Sequence, residues 1–426
     1  MKILLYGINF APELTGIGKY TGELATWLAA RGHEVRVVTA PPYYPSWAVS
    51  PGFANAYSST PMPAAPGAQL LRCPLWVPPQ PGGAKRLLHL ASFALSSLPV
   101  MLAQIFWRPH AVWVVEPALF CAPTALVVAR LTGAKAWLHV QDFEVDAAFD
   151  LGLLKGERIR NAVASVERWL MRRFDVVSTI SQRMHQRLLV KGVDVARAKM
   201  AVNWVDMAQF GKPSEAGVAA YRRELKIPPG ATVALYSGNM GGKQGLEVLA
   251  EAAKLTAKVP VQTMDSEVAA NNSVASQEVV FVFCGDGAGR SDLVERCQGL
   301  TNVRFIDLQP AERLPDLLAT ADIHLLPQRA DAADLVMPSK LTGMLASARP
   351  VVATAKVGTE LASVVQSCGL VVPPEDPAAL AQAIHTLAAN PALRRTLGTA
   401  GFAYAQAHLD REAVLERFEA DLTSVM

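Results

Sequence analysis

Short runs of β-forming residues alternate with longer helix-like segments along the whole chain, and partway through the alternation starts again. In the first half the strand-like runs are K-I-L-L-Y, E-V-R-V-V-T, Q-L-L-R-C, A-V-W-V-V-E, A-K-A-W-L-H-V, D-V-V-S-T-I and K-M-A-V-N-W. After W-V-D-M-A-Q-F they are T-V-A-L-Y-S, V-V-F-V-F-C, N-V-R-F-I, D-I-H-L-L-P, P-V-V-A-T and G-L-V-V. Several are apolar at successive positions, so both faces must be buried, as in a parallel strand covered by helices on both sides. Strand alternating with helix predicts βαβ units. The restart predicts an α/β protein of two tandem Rossmann-like domains, over residues 1–204 and 205–404. The length of 426 residues agrees, because a single core stops growing at roughly 250–300 residues.

Charge is divided unevenly between the halves. Residues 1–205 hold 21 Lys+Arg against 12 Asp+Glu, and the remainder holds 19 against 25. A basic half points to an anionic partner: nucleic acid, a membrane surface or a phosphorylated lipid. The basic residues are scattered and not interleaved with aromatics, which argues against nucleic acid. Five widely spaced cysteines form no C-x-x-C pair, so neither a disulfide framework nor a zinc site is implied, in keeping with a reducing compartment. Lys2 before I-L-L-Y resembles a leader only superficially, since the apolar run is too short and no small-residue cleavage site follows. The expected location is the cytoplasm.

Three stretches break the rhythm. Residues 41–68 are rich in Pro and aromatics and read as a long loop, of a length that is usually functional or mobile. Residues 262–278 are polar and read as a surface insertion. Residues 87–107, between Arg86 and Arg108, contain no Asp, Glu, Lys or Arg. Their length is near the roughly 20 residues that cross a bilayer. They also carry His89, three serines, Pro99 and Gln104, and they lie inside a βα rhythm. A buried helix pair, a membrane-surface helix with basic flanks and a true span all stay open, in that order.

Glycine turns follow strands in both halves. The first, N-F-A-P-E-L-T-G-I-G-K-Y, fails the dinucleotide fingerprint, because Thr21 holds the third glycine position and the second strand ends V-T-A-P with no acid. It fails the P-loop pattern too, because Glu13 holds the first glycine position and Tyr20 follows Lys19. What survives is a turn at Gly16 and Gly18 whose backbone N–H groups can face an anion or a sugar hydroxyl, or a plain tight turn between strand and helix. The second, Y-S-G-N-M-G-G-K-Q-G, places Gly238, Asn239 and Lys243 before a helix, where glycines admit a diphosphate and a lysine can meet charge developing on a leaving group. Downstream come F-C-G-D-G with Asp286, D-I-H-L-L-P, M-P-S-K-L-T-G-M-L-A-S-A-R-P-V-V-A-T and G-T-E-L.

This ordered set resembles the donor domain of GT-B glycosyltransferases of family 4, and N-F-A-P-E-L-T-G-I-G-K-Y with A-P-P-Y-Y-P-S-W resembles the colanic-acid branch of that family. The resemblance spans nearly the whole chain except roughly 262–278. It implies a GT-B fold, with two parallel sheets facing across a cleft and a C-terminal helix, about 405–426, packed back on the first domain. It implies retaining transfer of a sugar from a nucleotide-sugar co-substrate, GDP-fucose in this branch, with no further cofactor. The donor diphosphate would touch Gly238, Asn239, Lys243 and Asp286. Pro338, Ser339, Lys340 and Glu360 would lie near the sugar, the diphosphate or the ribose. The acceptor, a lipid-linked saccharide of exopolysaccharide assembly, would meet Gly16, Gly18, Lys19, Tyr44 and His139. Peripheral contact with the inner face of the plasma membrane would come through about 85–108 and the basic N-terminal half.

The chain departs from the family pattern at named positions. Asn239 stands where the family has an arginine, and Lys243 sits one residue before the usual lysine position, which here is Gln244. The paired glutamates are replaced by Leu335 and Gly343, leaving Asp334, Ser339, Lys340 and Glu360 as polar groups. In W-L-H-V-Q-D, Gln141-Asp142 matches a His-Asp pair. Asp142 is then a candidate to orient or deprotonate the acceptor hydroxyl, or else a carboxylate capping the next helix. His139, inside a strand, also reads as a satisfied core histidine. No D-x-D triplet occurs, so no metal site is expected. Two rivals remain: a non-catalytic protein binding sugar nucleotide or polysaccharide, and a nucleotide-sugar epimerase of similar shape.

Overall fold

The computed structural model describes residues 1–13, 16–62, 65–79, 82–116, 119–143, 145–146, 157–210, 213–241, 244–257, 278–330 and 337–426. Lys243, Asp334 and all but the last residue of the 262–278 insertion lie outside them. The chain divides into two compact units, residues 1–204 with 412–426 and residues 205–330 with 338–411.

The N-terminal unit is built on an eight-stranded sheet in the order β3-β4-β2-β1-β5-β6-β7-β8. The strands are β1 (Lys2–Tyr6), β2 (Glu34–Thr39), β3 (Ser58–Met62), β4 (Ala65–Arg72), β5 (Ala111–Glu116), β6 (Lys135–Val140), β7 (Val176–Thr179) and β8 (Ala198–Met200). All pairs are parallel except the β3–β4 pair at the edge. Side chains alternate between faces, so the central strands feed two cores. Leu4, Tyr6, Val38, Val112, Val114 and Leu138 lie in one core, with Leu90, Phe93 and Met101 of helix Gly83–Trp107 and Leu126 of helix Ala122–Thr132. Ile3, Leu5, Val37, Trp113 and Trp137 lie in the other, with Leu24 and Leu28 of helix Ile17–Ala30 and Phe418 and Leu422 of the final helix, Arg411–Val425. That final helix is pinned where Glu412 accepts from Trp27 Nε1 (2.8 Å) and Glu419 accepts from Arg31 Nη2 (2.8 Å).

Three sequence expectations change. The 41–68 stretch is not all loop, because Ser58–Met62 and Ala65 onward are strands. K-M-A-V-N-W is a strand only at its start, ending at Met200. Val202 and Trp204 owe their apolar character to packing on the core and not to a ladder partner. Finally, 87–107 is no helix pair but part of one continuous helix that runs through Pro99. A mid-helix proline costs ~3 kcal/mol, and burial of Leu90, Phe93 and Met101 over successive turns outweighs it.

The C-terminal unit has a six-stranded, fully parallel sheet in the order β11-β10-β9-β12-β13-β14. Its strands are β9 (Thr232–Ser237), β10 (Val279–Cys284), β11 (Val303–Ile306), β12 (Ile323–Pro327), β13 (Val351–Thr354) and β14 (Gly369–Val372). Ala234, Tyr236, Phe281, Phe283, Ile323 and Leu325 form its core with helices Glu247–Ala257 and Pro377–Ala389. The chain leaves β9 toward β10 and β11, then returns to β12 on the other side of β9. The switch point between β9 and β12 is where open α/β sheets form a crevice at the C-terminal strand ends. The N-terminal sheet has the same device between β1 and β5.

Candidate active site

Sequence dictates a glycine turn at the end of β9, and the sheet sets it against a second turn at the end of β10. Gly238 N–H donates to the Cys284 carbonyl (3.0 Å), Met240 N–H to the Asp286 carbonyl (2.8 Å) and Gly289 N–H to the Met240 carbonyl (2.7 Å). The backbones touch so closely that a Cβ on Gly285 would lie 2.0 Å from the Gly238 carbonyl oxygen. Asp286 spends a carboxylate oxygen on its own turn, accepting from Gly287 N–H (2.8 Å).

Lys340 enters this corner from β12 as the first residue of helix Lys340–Ala346. Its Nζ donates to Tyr236 Oη (2.8 Å) and sits 4.2 Å from the centroid of that ring. Tyr236 Oη donates in turn to the Asn239 carbonyl (2.5 Å). A Cβ placed on Gly238 would come within 3.5 Å of the ammonium. Desolvation pulls the Lys340 pKa down to about 7, although the residue as a whole is only half-buried. A cation on bare glycine backbone is an anion receptor that gains charge when the anion arrives.

The structure therefore brings together Gly238, Asn239, Asp286 and Lys340. Pro338 and Ser339 lie in the turn before Lys340, with their carbonyls accepting from Leu341 N–H (3.0 Å) and Thr342 Oγ1 (2.9 Å). Glu360 stands one strand further along, after β13, opening helix Glu360–Val365 beside its cap Thr359. Tyr236 was not foreseen. The only trace of it in the sequence is a tyrosine inside a buried strand two residues before Gly238.

In the N-terminal unit, Gly16 is the N-cap of helix Ile17–Ala30, and Gly18 is buried in its first turn. A Cβ on Gly18 would meet Glu13 Cβ at 2.7 Å and Oε2 at 2.6 Å, so this glycine makes room for a carboxylate of its own chain. Lys19 leans along the helix, 3.8 Å from Glu23 and 5.2 Å from the Tyr20 ring. Tyr44 is joined through its N–H to Glu13 (3.1 Å).

His139 lies in β6, two strands from β1, and Asp142 follows just past its end. His139 is a core histidine, with Nδ1 2.9 Å from Ser178 Oγ and Nε2 3.0 Å from Gln141 Nε2. Burial pushes its pKa down to about 3, so it stays neutral. It borders a small pocket with Tyr20, Trp113, Trp204 and Phe418. Gln141 is paired with Asn203 (3.0 Å), and Asp142 is half-buried just past the strand end.

Comparison with known proteins gives a consistent picture. Residues 15–204 match the glycosyl transferase 4-like domain, and residues 231–390 match glycosyl transferases group 1. WcaI of Escherichia coli, named as a candidate colanic acid biosynthesis glycosyl transferase, is 42% identical over 99% of this chain and 100% of its own length. Among solved structures, sucrose-phosphate synthase from Thermosynechococcus elongatus superposes with a TM-score of 0.75 at 19% identity, covering 100% of this chain and 98% of that one. HepE from Anabaena, in complex with UDP and glucose, gives 0.70 at 15% identity with both chains fully covered. The two parallel α/β units, the two domain matches and a relative alike from end to end together show that the chain belongs to the GT-B glycosyltransferases of family 4.

Proposed function

We propose that this enzyme transfers fucose from GDP-fucose to a lipid-linked saccharide in colanic-acid-like exopolysaccharide assembly, with retention at the anomeric carbon. In that transfer the bond from the anomeric carbon to the diphosphate oxygen breaks and a bond to an acceptor hydroxyl oxygen forms. The nucleoside diphosphate leaves with the electron pair, and the hydroxyl proton passes to it. The observation that carries the reading is Lys340 poised on bare glycine backbone at the β9–β12 switch point. There an ammonium and backbone N–H groups meet the charge that develops on the leaving diphosphate, which is the work a metal ion would do elsewhere. Lys243, in the same turn by sequence, is assigned to that charge as well, and Asp142 to orienting the acceptor. The colanic-acid context is supported by the full-length likeness to WcaI.

The test is a panel of radiolabelled nucleotide sugars incubated with membrane lipid extract. Label is expected in the lipid fraction from one donor only, GDP-fucose. Transfer from a different donor would replace the sugar and leave the reaction class. Nucleotide binding with no transfer from any donor would mean a binding protein.

A lipid-linked acceptor places the enzyme at the cytoplasmic face of the plasma membrane, and helix Gly83–Trp107 supports this. By length and composition alone it would pass for a membrane span. One of its faces is committed to the fold, however: Ser97 Oγ bonds Tyr6 Oη (2.6 Å) and Gln104 accepts from Arg36 (2.9 Å). The opposite face exposes Leu88, Leu95, Leu98, Leu102 and Phe106, the last 90% exposed. Lys85, Arg86 and Arg108 flank this stripe, the arrangement of a helix lying in an anionic interface. The protein is expected to float with phosphatidylglycerol vesicles. The double variant Leu95→Asp, Phe106→Asp should lose at least about tenfold in partitioning, since each buried apolar side chain contributes roughly 1.5–3 kcal/mol. Equal flotation of variant and parent would remove this face from the proposal.

A further inference from the structure

Two buried, oppositely charged side chains bridge the same pair of loops in the N-terminal unit. Glu13 lies in the turn after β1. One of its oxygens accepts from the N–H groups of Tyr43 and Tyr44 (3.1 Å each), and the other accepts from Asn9 Nδ2 (3.0 Å). Arg72, at the end of β4, donates from Nη1 to the Ala40 carbonyl (2.6 Å) and from Nη2 to the Ala11 carbonyl (2.9 Å). Asn9, Ala11 and Glu13 belong to the turn after β1, whereas Ala40, Tyr43 and Tyr44 belong to the loop after β2. Glu13 is 6% exposed and Arg72 7%.

A buried charge is costly even when it is hydrogen-bonded, and neutral side chains or backbone groups can close a loop at lower cost. The loop already has a neutral support on its other side. The Tyr43 ring lies 5.7 Å from Trp47 and 4.8 Å from His89, Trp47 lies 5.2 Å from His89, and Ser50 N–H closes onto the Pro42 carbonyl (2.8 Å). The charged pair therefore does something that folding alone does not require.

We propose that Glu13 and Arg72 form a staple that fixes the 41–50 loop against the glycine turn, and thereby determine how tightly the acceptor saccharide is held. They are positioning residues and touch no reacting atom. The inference rests on the reading above that this loop and turn serve the acceptor. Gly18 is part of the device, since any larger residue there would expel the Glu13 side chain.

The staple is pH-sensitive. Burial raises the Glu13 pKa to about 7 against the pull of its hydrogen bonds and of Arg72, the charged group that faces it. Above that pH the carboxylate accepts all three N–H bonds. Below it, one oxygen becomes a donor aimed at donors, and the loop loosens.

Amide hydrogen exchange and acceptor kinetics on the full-length enzyme test this. Glu13→Ala is expected to speed exchange at Tyr43 and Tyr44 about 100-fold or more, because buried donors that lose their acceptor exchange through cheap local opening. The acceptor KM should rise about tenfold, with kcat and donor affinity within about twofold, the split expected when only acceptor binding is lost. Glu13→Gln, which like the protonated carboxyl offers one acceptor and one donor, should hold the acceptor KM near the parent's low-pH value at every pH. It should thereby abolish the rise in acceptor KM that the parent shows as pH falls through 7. Unchanged exchange in a folded Glu13→Ala variant would overturn the staple. Freed amides with an unchanged acceptor KM would overturn its link to the acceptor. If Glu13→Ala does not fold, the pH step alone decides, and its persistence in Glu13→Gln overturns the proposal. A parent enzyme that transfers no sugar at all would refute the function above and leave the exchange experiment to judge the staple on its own.

Discussion

Lys340→Ala is expected to lower the rate of sugar transfer by about 10²–10³-fold while the protein stays folded, the scale of losing one preorganised charge-stabilising donor, roughly 2.7–4 kcal/mol. The loss should fall mainly on kcat, because charge on the bridging diphosphate oxygen grows as the glycosidic bond breaks. Two further readouts isolate the cause. In the free protein the Lys340 pKa is drawn down to about 7 by desolvation. A bound diphosphate restores the charged form, so nucleotide binding at pH 8 should take up a proton. Titration calorimetry in buffers of different ionisation heat should show that uptake in the parent and not in Lys340→Met.

The linkage for stability has the opposite sense from a salt-bridged lysine. The folded-state pKa lies below the unfolded one, so between about pH 7 and 10.4 the unfolded chain binds more protons. Lys340 therefore costs stability below pH 7, and the cost fades as pH rises through that window. Lys340→Met should accordingly melt no lower than the parent at pH 6.5 even though its transfer rate is cut as deeply as that of Lys340→Ala. A variant that is less stable at pH 6.5 and half as active would mark Lys340 as a packing residue.

Gly285→Ala should damage the donor half severely for a single added methyl. The new Cβ would stand 2.0 Å from the Gly238 carbonyl oxygen, far inside contact distance, and the obstacle is backbone that cannot rotate away. Overpacking of this kind costs typically 1–3 kcal/mol and more where backbone must move. The only escape is to part the β9 and β10 turns, which breaks the Gly238 N–H to Cys284 bond and the Met240 N–H to Asp286 bond. Thermal melting should shift down by several degrees or more. Nucleotide affinity should fall beyond what the fraction unfolded explains. Wild-type affinity in a folded Gly285→Ala protein would show that the interlocked turns do not shape the donor site.

Much of the fold is legible because a strand buried on both faces has to be apolar along its length, as V-V-F-V-F-C and A-V-W-V-V-E are. The misses follow from the same rule. Ser58–Met62 is an edge strand, mostly exposed and carrying Pro61, so nothing in its composition distinguishes it from a loop. Trp204 gave a strand-like apolar end to a segment that is a strand only as far as Met200. Its ring packs edge-on against Tyr20 5.1 Å away, and its Nε1 donates to Glu23 (2.6 Å).

For the site, P-S-K-L-T-G marked Lys340 by family likeness, but nothing local shows that a tyrosine 104 residues upstream holds its ammonium. Glu13 appeared in the sequence only as the residue that spoils a P-loop pattern. Its partners in the second loop lie 30 and 31 positions away, so its use depends on where two loops end, and no motif records that.

The sequence by itself determined the two α/β units, the place of both glycine turns and the family. The first two follow from local quantities, hydrophobic period and strand length, and the family from likeness of the ordered motifs. Only the tertiary structure decided that Lys340 is desolvated against Gly238, that Gly18 answers Glu13 and that His139 is a neutral core residue. A pKa, a close approach and a buried charge are properties of whatever the fold brings within a few ångströms. The order of the parallel strands, with β9 between β10 and β12, is what brings those groups together.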